Sequence, residues 1–113
     1  MRYLVIGENI DAGYLLPPDH VAAAVEGAVI PSFRILAKLE QEGRLWGGLF
    51  PGERGGAFVL DVESPEQLNQ VVGELPFSGL VKWQVKALID FNTGADQAAQ
   101  AMQLMKRMSQ QGG

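Results

Sequence analysis

The stretch from residue 56 to residue 76, GAFVLDVESPEQLNQVVGELP, carries the strongest local signals in the chain. Its first seven residues are mostly apolar, which is typical of a strand. Ser64 then stands at a helix N-cap position, with Pro65 at the first helical position and Gln67 three residues after the cap. Apolar residues at positions 68, 71, 72 and 75 give the helix one apolar face, and Pro76 ends it. The stretch therefore predicts a strand followed directly by an amphipathic helix.

Apolar runs on both sides of this stretch extend the pattern. Residues 45–50 form one such run, and the turn-forming residues 51–55 separate it from the strand, so the sequence predicts a β-hairpin. Residues 81–89 alternate in a way that is typical of an antiparallel strand with two unlike faces. Residues 3–6 predict a first strand, which leads to polar residues at its end.

A first helix is predicted between the first strand and the hairpin. It begins at Asp19 and has apolar residues spaced along one face. Pro31 lies within it, and proline lacks the amide hydrogen of a helical bond and clashes with the preceding turn. The sequence therefore predicts a kink or break at Pro31, a second limb over residues 32–42, and a stop at Gly43.

The predicted order is strand, helix, strand, strand, helix, strand. This order is typical of an α+β domain with a ferredoxin-like antiparallel sheet. We assign residues 1–91 to this domain and residues 92–113 to a C-terminal helical extension.

Thr93 and Asp96 predict a capping box for the extra helix, and Ala98, Met102 and Met105 share one side of it. A methionine stripe at helical spacing is more typical of a packing surface than of a ligand site.

The predicted fold leaves one side of the sheet without helices. Because 113 residues with 47% hydrophobic content form one small core, covering this apolar side would add to stability. A second copy of the same sheet is the simplest cover. We therefore expect a homodimer or a higher homo-oligomer.

Charge and cysteine content argue against several classes of protein. The formal net charge is −4 and the charges are scattered, so we expect no nucleic-acid partner. With no cysteine and a single histidine, the chain offers no disulfide and no familiar zinc site, and we expect no metal.

No apolar run looks long enough for a signal peptide or a membrane span. We expect a cytoplasmic protein with no membrane partner.

The common motifs of phosphate-binding loops, dinucleotide-binding folds, zinc peptidases and serine hydrolases are absent from the sequence. The candidate site residues are dispersed groups that the predicted fold could bring to a cavity between sheet and helices: Glu8, Asn9, His20, Arg34, Trp46 and Trp83. In this interpretation Glu8 or His20 is the catalytic base. Asn9, Arg34 and the two tryptophans bind the substrate, with Arg34 holding the carboxylate of a small acid and the tryptophans forming apolar walls.

Each of these residues also has a purely structural interpretation. His20 in the first turn of a helix and Glu8 at the end of a strand could both lie in solvent. Arg34 could be a surface charge, and the two tryptophans could belong to the core. The sequence leaves both interpretations open.

Part of the sequence resembles the muconolactone isomerases. The resemblance is strongest over residues 56–64, Glu66, Leu68 and the Leu75-Pro76 pair, and residues 43–46 and 85–88 are similar to the corresponding family segments. It covers roughly residues 3–91. The resemblance implies a dimeric α+β barrel, whose relatives shift the double bond of a lactone ring by moving a proton, with no cofactor and no metal.

Two hypotheses for function follow. The first is a cofactor-independent isomerase that moves a proton on a small cyclic or enolisable acid in a pocket between sheet and helices. The second is a non-catalytic domain of the same fold that binds a small molecule or serves in assembly. The two differ in whether the pocket is open and whether a titratable group faces it.

Overall fold

The structure is a computed structural model that describes residues 1–9 and 17–111. The elements follow in the order β1 (Arg2–Asn9), α1 (Pro18–Ala24), a π-helical segment (Val25–Val29), α2 (Ile30–Gln41), β2 (Leu45–Leu49), β3 (Gly55–Asp61), α3 (Pro65–Gly73), a 3₁₀ turn (Ser78–Leu80), β4 (Val81–Leu88) and α4 (Phe91–Gln111). The four strands form one antiparallel sheet in the order β2-β3-β1-β4. This is the predicted ferredoxin-like arrangement, and the predicted fold class is confirmed. The division of the chain at residue 91 stays a prediction.

The core lies on the side of the sheet that faces the helices. Alternate residues of β1 point to this side, and Val5 on β1 and Leu60 on β3 have no exposed surface. The buried cluster consists of Tyr3, Val5, Leu45, Phe58, Leu60, Val62 and Leu68. Because β1 is central and pairs with both β3 and β4, its register fixes which residues of both neighbours enter the core.

The sequence predicted a kink or a break at Pro31, and the structure interrupts the regular α-helix just before this residue, at the π-helical segment, without ending the helix. The backbone stays helical from Pro18 to Gln41, and α1, the π-helical segment and α2 together form what we call the long helix. The amide of Ile30 donates to the carbonyl of Val25, five residues earlier, instead of four. Because a π turn is wider than an α turn, it makes room for the Pro31 ring, which in a regular α-helix would clash with the preceding turn.

Ser32, the residue after Pro31, makes two side-chain hydrogen bonds at this part of the long helix. Its hydroxyl donates to the carbonyl oxygen of Ala28 at 2.7 Å and accepts from the backbone amide of Phe77 at 3.0 Å. Ser32 is completely buried, and its side chain directly links the long helix to the segment that leads into β4. Because the buried hydroxyl both donates and accepts a hydrogen bond, these bonds compensate for the loss of its hydrogen bonds to water.

The long helix also corrects the expectation that no apolar run in the chain is long enough for a membrane span. Among the described residues it is the one helix that is long and apolar enough, over 24 residues, to cross a membrane by length and composition. Length and composition are weak evidence, because a helix lying on the core of a soluble protein and a signal sequence have the same properties. Here Leu36 and Leu39 of the long helix pack against the buried cluster.

The local signals around Ser64 are confirmed. The Ser64 hydroxyl accepts from the backbone amide of Gln67 at 3.1 Å, and Pro65 is the first residue of α3. The side-chain oxygen of Gln67 in turn accepts from the backbone amide of Glu63 at 2.7 Å. This reciprocal pair satisfies two backbone donors at the start of α3.

The start of α4 differs from the prediction. Asp90, and not Thr93, caps the helix, because the Asp90 carboxylate accepts from the backbone amide of Thr93 at 2.6 Å. This bond, and a second one from the Thr93 side chain, hold the pKa of Asp90 below its usual value. From Phe91 to Gln110 every residue except Gly94 is exposed, so the predicted methionine stripe has no cover from the described part of its own chain.

Replacing Ser32 by alanine is expected to lower the free energy of unfolding by about 1–3 kcal/mol, because the Phe77 amide and the Ala28 carbonyl both lose a buried partner. Urea unfolding followed by circular dichroism measures the change. Ser78→Ala is the matched control, since the Ser78 hydroxyl makes only a 3.4 Å bond in an exposed position. Equal losses in the two variants would contradict the role given to Ser32.

Candidate active site

An open cavity of about 790 Å³ lies between the helix-facing side of the sheet and the long helix. Its size is within the range of roughly 300–1,000 Å³ that is usual for small-molecule sites. Residues from all four strands, the long helix, the β2–β3 turn and the segment before β4 line it. The cavity is therefore a product of the whole fold and not of one local motif.

Glycines form much of the floor of the cavity. Gly7 on β1 pairs with Gly56 on β3 and with Trp83 on β4, and Gly47 lies on β2. A side chain at Gly7 would have its Cβ 2.8 Å from Cζ3 of Trp83. These glycines let other groups come close, with Trp83 against Gly7 and the backbone of β3 against Gly47.

Aromatic rings close one end of the cavity. The Trp83 ring meets the Phe77 ring edge-on at 5.9 Å between centroids and the Phe58 ring at 6.4 Å, and Phe33 of the long helix meets Phe77 at 5.8 Å. The indole nitrogen of Trp83 donates to the carbonyl oxygen of Ser78 at 3.2 Å. These contacts hold the Trp83 ring in one orientation against the cavity.

Polar side chains occur at a few places around the apolar lining. Glu40 comes from the last turn of the long helix, and Glu53 and Arg54 come from the turn between β2 and β3. Asn9 stands at the end of β1, and its backbone amide donates to the carbonyl oxygen of Arg54 at 2.8 Å. The residues that line the cavity are thus mostly apolar and include two glutamates, one arginine and one asparagine, of which Glu40, Glu53 and Arg54 are exposed.

Two of the six predicted site residues line this cavity, namely Asn9 and Trp83. Trp46 lies on the opposite side of the sheet, where it pairs with Val59, is 48% exposed, and has the Arg2 guanidinium 5.8 Å from its ring centroid. Neighbouring residues of a strand point to opposite sides, so the side chain of Glu8 also points away from the cavity.

His20 and Arg34 are exposed on the long helix and are not among the residues that line the cavity. The predicted bases, Glu8 and His20, and the predicted anchor, Arg34, all lie outside the cavity lining. The structure therefore does not bring them together with Asn9 and Trp83. The roles assigned to Glu8, His20, Arg34 and Trp46 stay predictions.

Sequence reasoning missed Glu40, Glu53 and Arg54. Glu40 looked like part of a solvated helix face, although it follows Leu36 by four residues and so shares its side of the helix. Glu53 and Arg54 looked like ordinary turn residues. The paired glycines that flank this turn were the one available signal, because such glycines mark places where the backbone approaches another group.

Across residues 1–9 and 17–111, no group of three or more histidine, cysteine, aspartate or glutamate residues is arranged to hold a metal ion.

Comparison with known proteins identifies the fold. Muconolactone isomerase has a solved structure that matches this one with a TM-score of 0.66 and 21% sequence identity, over 80% of this chain and 90% of that chain. The chain has the fold of muconolactone isomerase. A second structure with this fold, 5-chloro-2-hydroxyhydroquinone dehydrochlorinase from Burkholderia phenoliruptrix AC1100 in complex with 2,5-dihydroxybenzoquinone, matches with a TM-score of 0.57 and 17% identity, over 79% of this chain and 94% of that chain.

No family model matches the sequence, and no curated protein matches it. The resemblance to the muconolactone isomerases is therefore confirmed as a likeness of fold. At this level of sequence identity the muconolactone isomerase fold alone does not decide the reaction, which must be inferred from the site.

Gly47→Ala is expected to lower the free energy of unfolding by about 1–3 kcal/mol, because the new Cβ would collide with the Ala57 carbonyl oxygen and lie 2.5 Å from Cα of Phe58. Urea unfolding measures the effect. Gly48→Ala, on the same strand, is the matched control, because its new Cβ has nothing within 4 Å. A neutral Gly47→Ala variant would show that β2 and β3 are less closely packed than the structure indicates.

Proposed function

We propose that the cavity binds a small oxygenated ring compound and moves a proton on it in a cofactor-independent isomerisation. The observation that carries this proposal is the placement of Glu40, Glu53 and Arg54 around an otherwise apolar cavity. A carboxylate can act as a general base, and a guanidinium can bind a carboxylate or an enolate oxygen through two hydrogen bonds. The apolar lining would hold the ring itself.

The likeness to the two solved structures supports a ring compound as substrate. One of them is an isomerase named for muconolactone, and the other was solved with 2,5-dihydroxybenzoquinone. Both compounds are small rings that carry oxygen. The cavity of about 790 Å³ is large enough to hold a ring of this size.

The proposed reaction needs one base and one site of positive charge. A carboxylate removes the proton from a carbon next to a carbonyl group, and the electron pair of the broken C–H bond moves onto the carbonyl oxygen as an enolate. Arg54 stabilises this negative charge. The carboxylic acid then returns the proton to a different carbon of the conjugated system, so the double bond shifts and the base is regenerated.

Glu53 and Glu40 are the proposed bases, since both line the cavity, and Arg54 is the proposed anchor. Glu53 is adjacent to Arg54 in the chain, whereas Glu40 reaches the cavity from the long helix. Glu8 and His20, the bases expected from the sequence, lie outside the lining and provide the comparison.

With muconolactone in buffered D₂O, we expect ring protons to exchange or the double bond to shift, because an enolate intermediate takes up deuterium. Glu53→Gln or Glu40→Gln should lower the rate by about 100-fold or more if that residue is the base. Glu8→Gln and His20→Asn should leave the rate unchanged. Proton NMR of the ring measures both exchange and isomerisation, and circular dichroism shows that each variant is folded.

The outcomes separate the possible bases. Loss of turnover in Glu8→Gln or His20→Asn, with both cavity variants active, would contradict the assignment to the cavity and return the role to the bases expected from sequence. Exchange no faster than in buffer would remove muconolactone as a substrate.

Binding without turnover is a second candidate function. The observation that favours it is that Glu8, His20 and Arg34 all lie outside the cavity lining. If this function is correct, saturable binding of a ring compound would quench the fluorescence of Trp83 while the NMR assay shows no exchange. Trp46→Phe isolates this signal, because Trp46 lies on the other side of the sheet.

We also propose that a second copy of the chain covers the side of the sheet that faces away from the cavity. An apolar band crosses this side from β2 through β3 to β1, formed by Trp46, Val59, Leu4 and Ile6. None of these four residues is buried within the chain. Charged residues border the band, with Glu8 beside Lys82 at one end and Arg2 beside Asp61 at the other. An apolar centre with a charged border is typical of a protein interface.

Ile6→Glu is expected to lower the molar mass in solution relative to the wild type at the same concentration, because it would bury an unpaired charge at the centre of the interface. Sedimentation velocity measures the mass. Asn69→Glu on the exposed side of α3 is the control for added charge and should leave the mass unchanged. A folded Ile6→Glu variant with wild-type mass would rule out this face as the interface.

A further inference from the structure

Helix α4 has an apolar face that residues 1–9 and 17–111 do not cover. The helix is 21 residues long, and Phe91, Met102, Met105 and Met108 are between 47% and 98% exposed. Helices in proteins gain most of their stability from packing an amphipathic face, and an isolated helix in water is marginal. This face therefore requires a partner.

The spacing of the apolar residues indicates another helix as that partner. Apolar residues recur along α4 at Phe91, Ala95, Ala98, Met102 and Met105. The steps between them are four, three, four and three residues. Alternating steps of three and four place residues along the seam of a coiled coil. The opposite side of α4 carries Asp96, Gln100, Gln103 and Arg107, so the seam is flanked by a polar face.

The sizes of the seam residues indicate the direction of the partner helix. Beyond Phe91, the first half of α4 has small residues on its apolar side, at Gly94, Ala95, Ala98, Ala99 and Ala101. The second half has large ones, at Met102, Met105 and Met108. Two parallel copies would place methionine against methionine and alanine against alanine. Two antiparallel copies place each large residue against a small one, which fills space evenly.

The charges favour the same direction. Asp90 precedes α4 and Asp96 lies in its second turn, whereas Lys106 and Arg107 lie in its second half. Antiparallel pairing brings the acidic end of one helix beside the basic end of the other, and it also opposes the two helix dipoles. Parallel pairing would bring like charges together.

We propose that α4 pairs with α4 of a second copy as an antiparallel coiled coil, with the twofold axis at Gln100. In this register Ala98 of one chain faces Met102 of the other, and Ala95 faces Met105. Ala99 and Ala101 each lie beside their own copy near the axis, where small side chains let the two backbones approach closely. This interface is separate from the sheet surface described above and does not depend on the proposed reaction.

Cysteine cross-linking tests the pairing directly, because the chain has no cysteine of its own. The double variant Ala95→Cys/Met105→Cys should give mostly covalent dimers under mild oxidation, since each cysteine faces its counterpart across the interface. The two positions are about 15 Å apart along one helix, so they do not form a bond within the chain. Non-reducing gel electrophoresis and intact mass measure the product.

The two single variants are the decisive controls. In the antiparallel register Ala95→Cys alone and Met105→Cys alone leave the cysteines of two chains about 15 Å apart, so both should stay monomeric on the gel. Gln103→Cys, on the polar face, should also give no dimer. All these positions are exposed in the single chain, and circular dichroism checks that the variants are folded.

Each outcome decides the proposal. Dimers from the double variant, but not from the single variants, support antiparallel pairing. Efficient dimers from each single variant would show parallel pairing and overturn the proposal. The absence of dimers from the folded double variant would also overturn it, and would show that α4 packs on another surface or on none. None of these results depends on the sheet interface, which the Ile6→Glu variant tests separately.

Discussion

The buried hydroxyl of Ser32 is the contact on which the arrangement of helix and sheet depends. Pro31 cannot donate a helical hydrogen bond, and the long helix passes it by means of a π turn. Ser32 then supplies a bond to the Ala28 carbonyl and accepts one from the Phe77 amide. Because Phe77 contacts the ring of Trp83, one buried side chain sets the position of the long helix, the segment before β4 and one wall of the cavity.

The cavity lies between the long helix and a part of the sheet that contains several glycines. A side chain at Gly7 would collide with Trp83, and one at Gly47 or Gly56 would collide with the neighbouring strand, so glycine is needed there for close packing. The same strands carry large buried residues further along, so the fold is stabilised at one end and open at the other. Such a division lets a small domain keep a packed core and still hold a ligand.

Two apolar surfaces are not covered by the part of the chain that the structure describes: the far side of the sheet and one face of α4. A small domain has a high ratio of surface to volume, so burying such surfaces against another copy adds to stability. The two surfaces have different shapes, one a broad sheet face and the other a narrow helical seam. Two separate twofold interfaces would build an assembly larger than a dimer.

The sequence by itself determined the order of the elements, the cap at Ser64 and the amphipathic faces of α3 and α4, because these follow from residues close together in the chain. Only the tertiary structure decided how the chain passes Pro31, where the buried hydroxyl of Ser32 accepts a bond from the amide of distant Phe77. It also decided which side chains line the cavity. Strand pairing and helix docking place Glu40 and Arg54 at the cavity and turn the side chain of Glu8 away from it. These placements depend on contacts between residues far apart in the sequence, and such contacts leave no local sequence pattern.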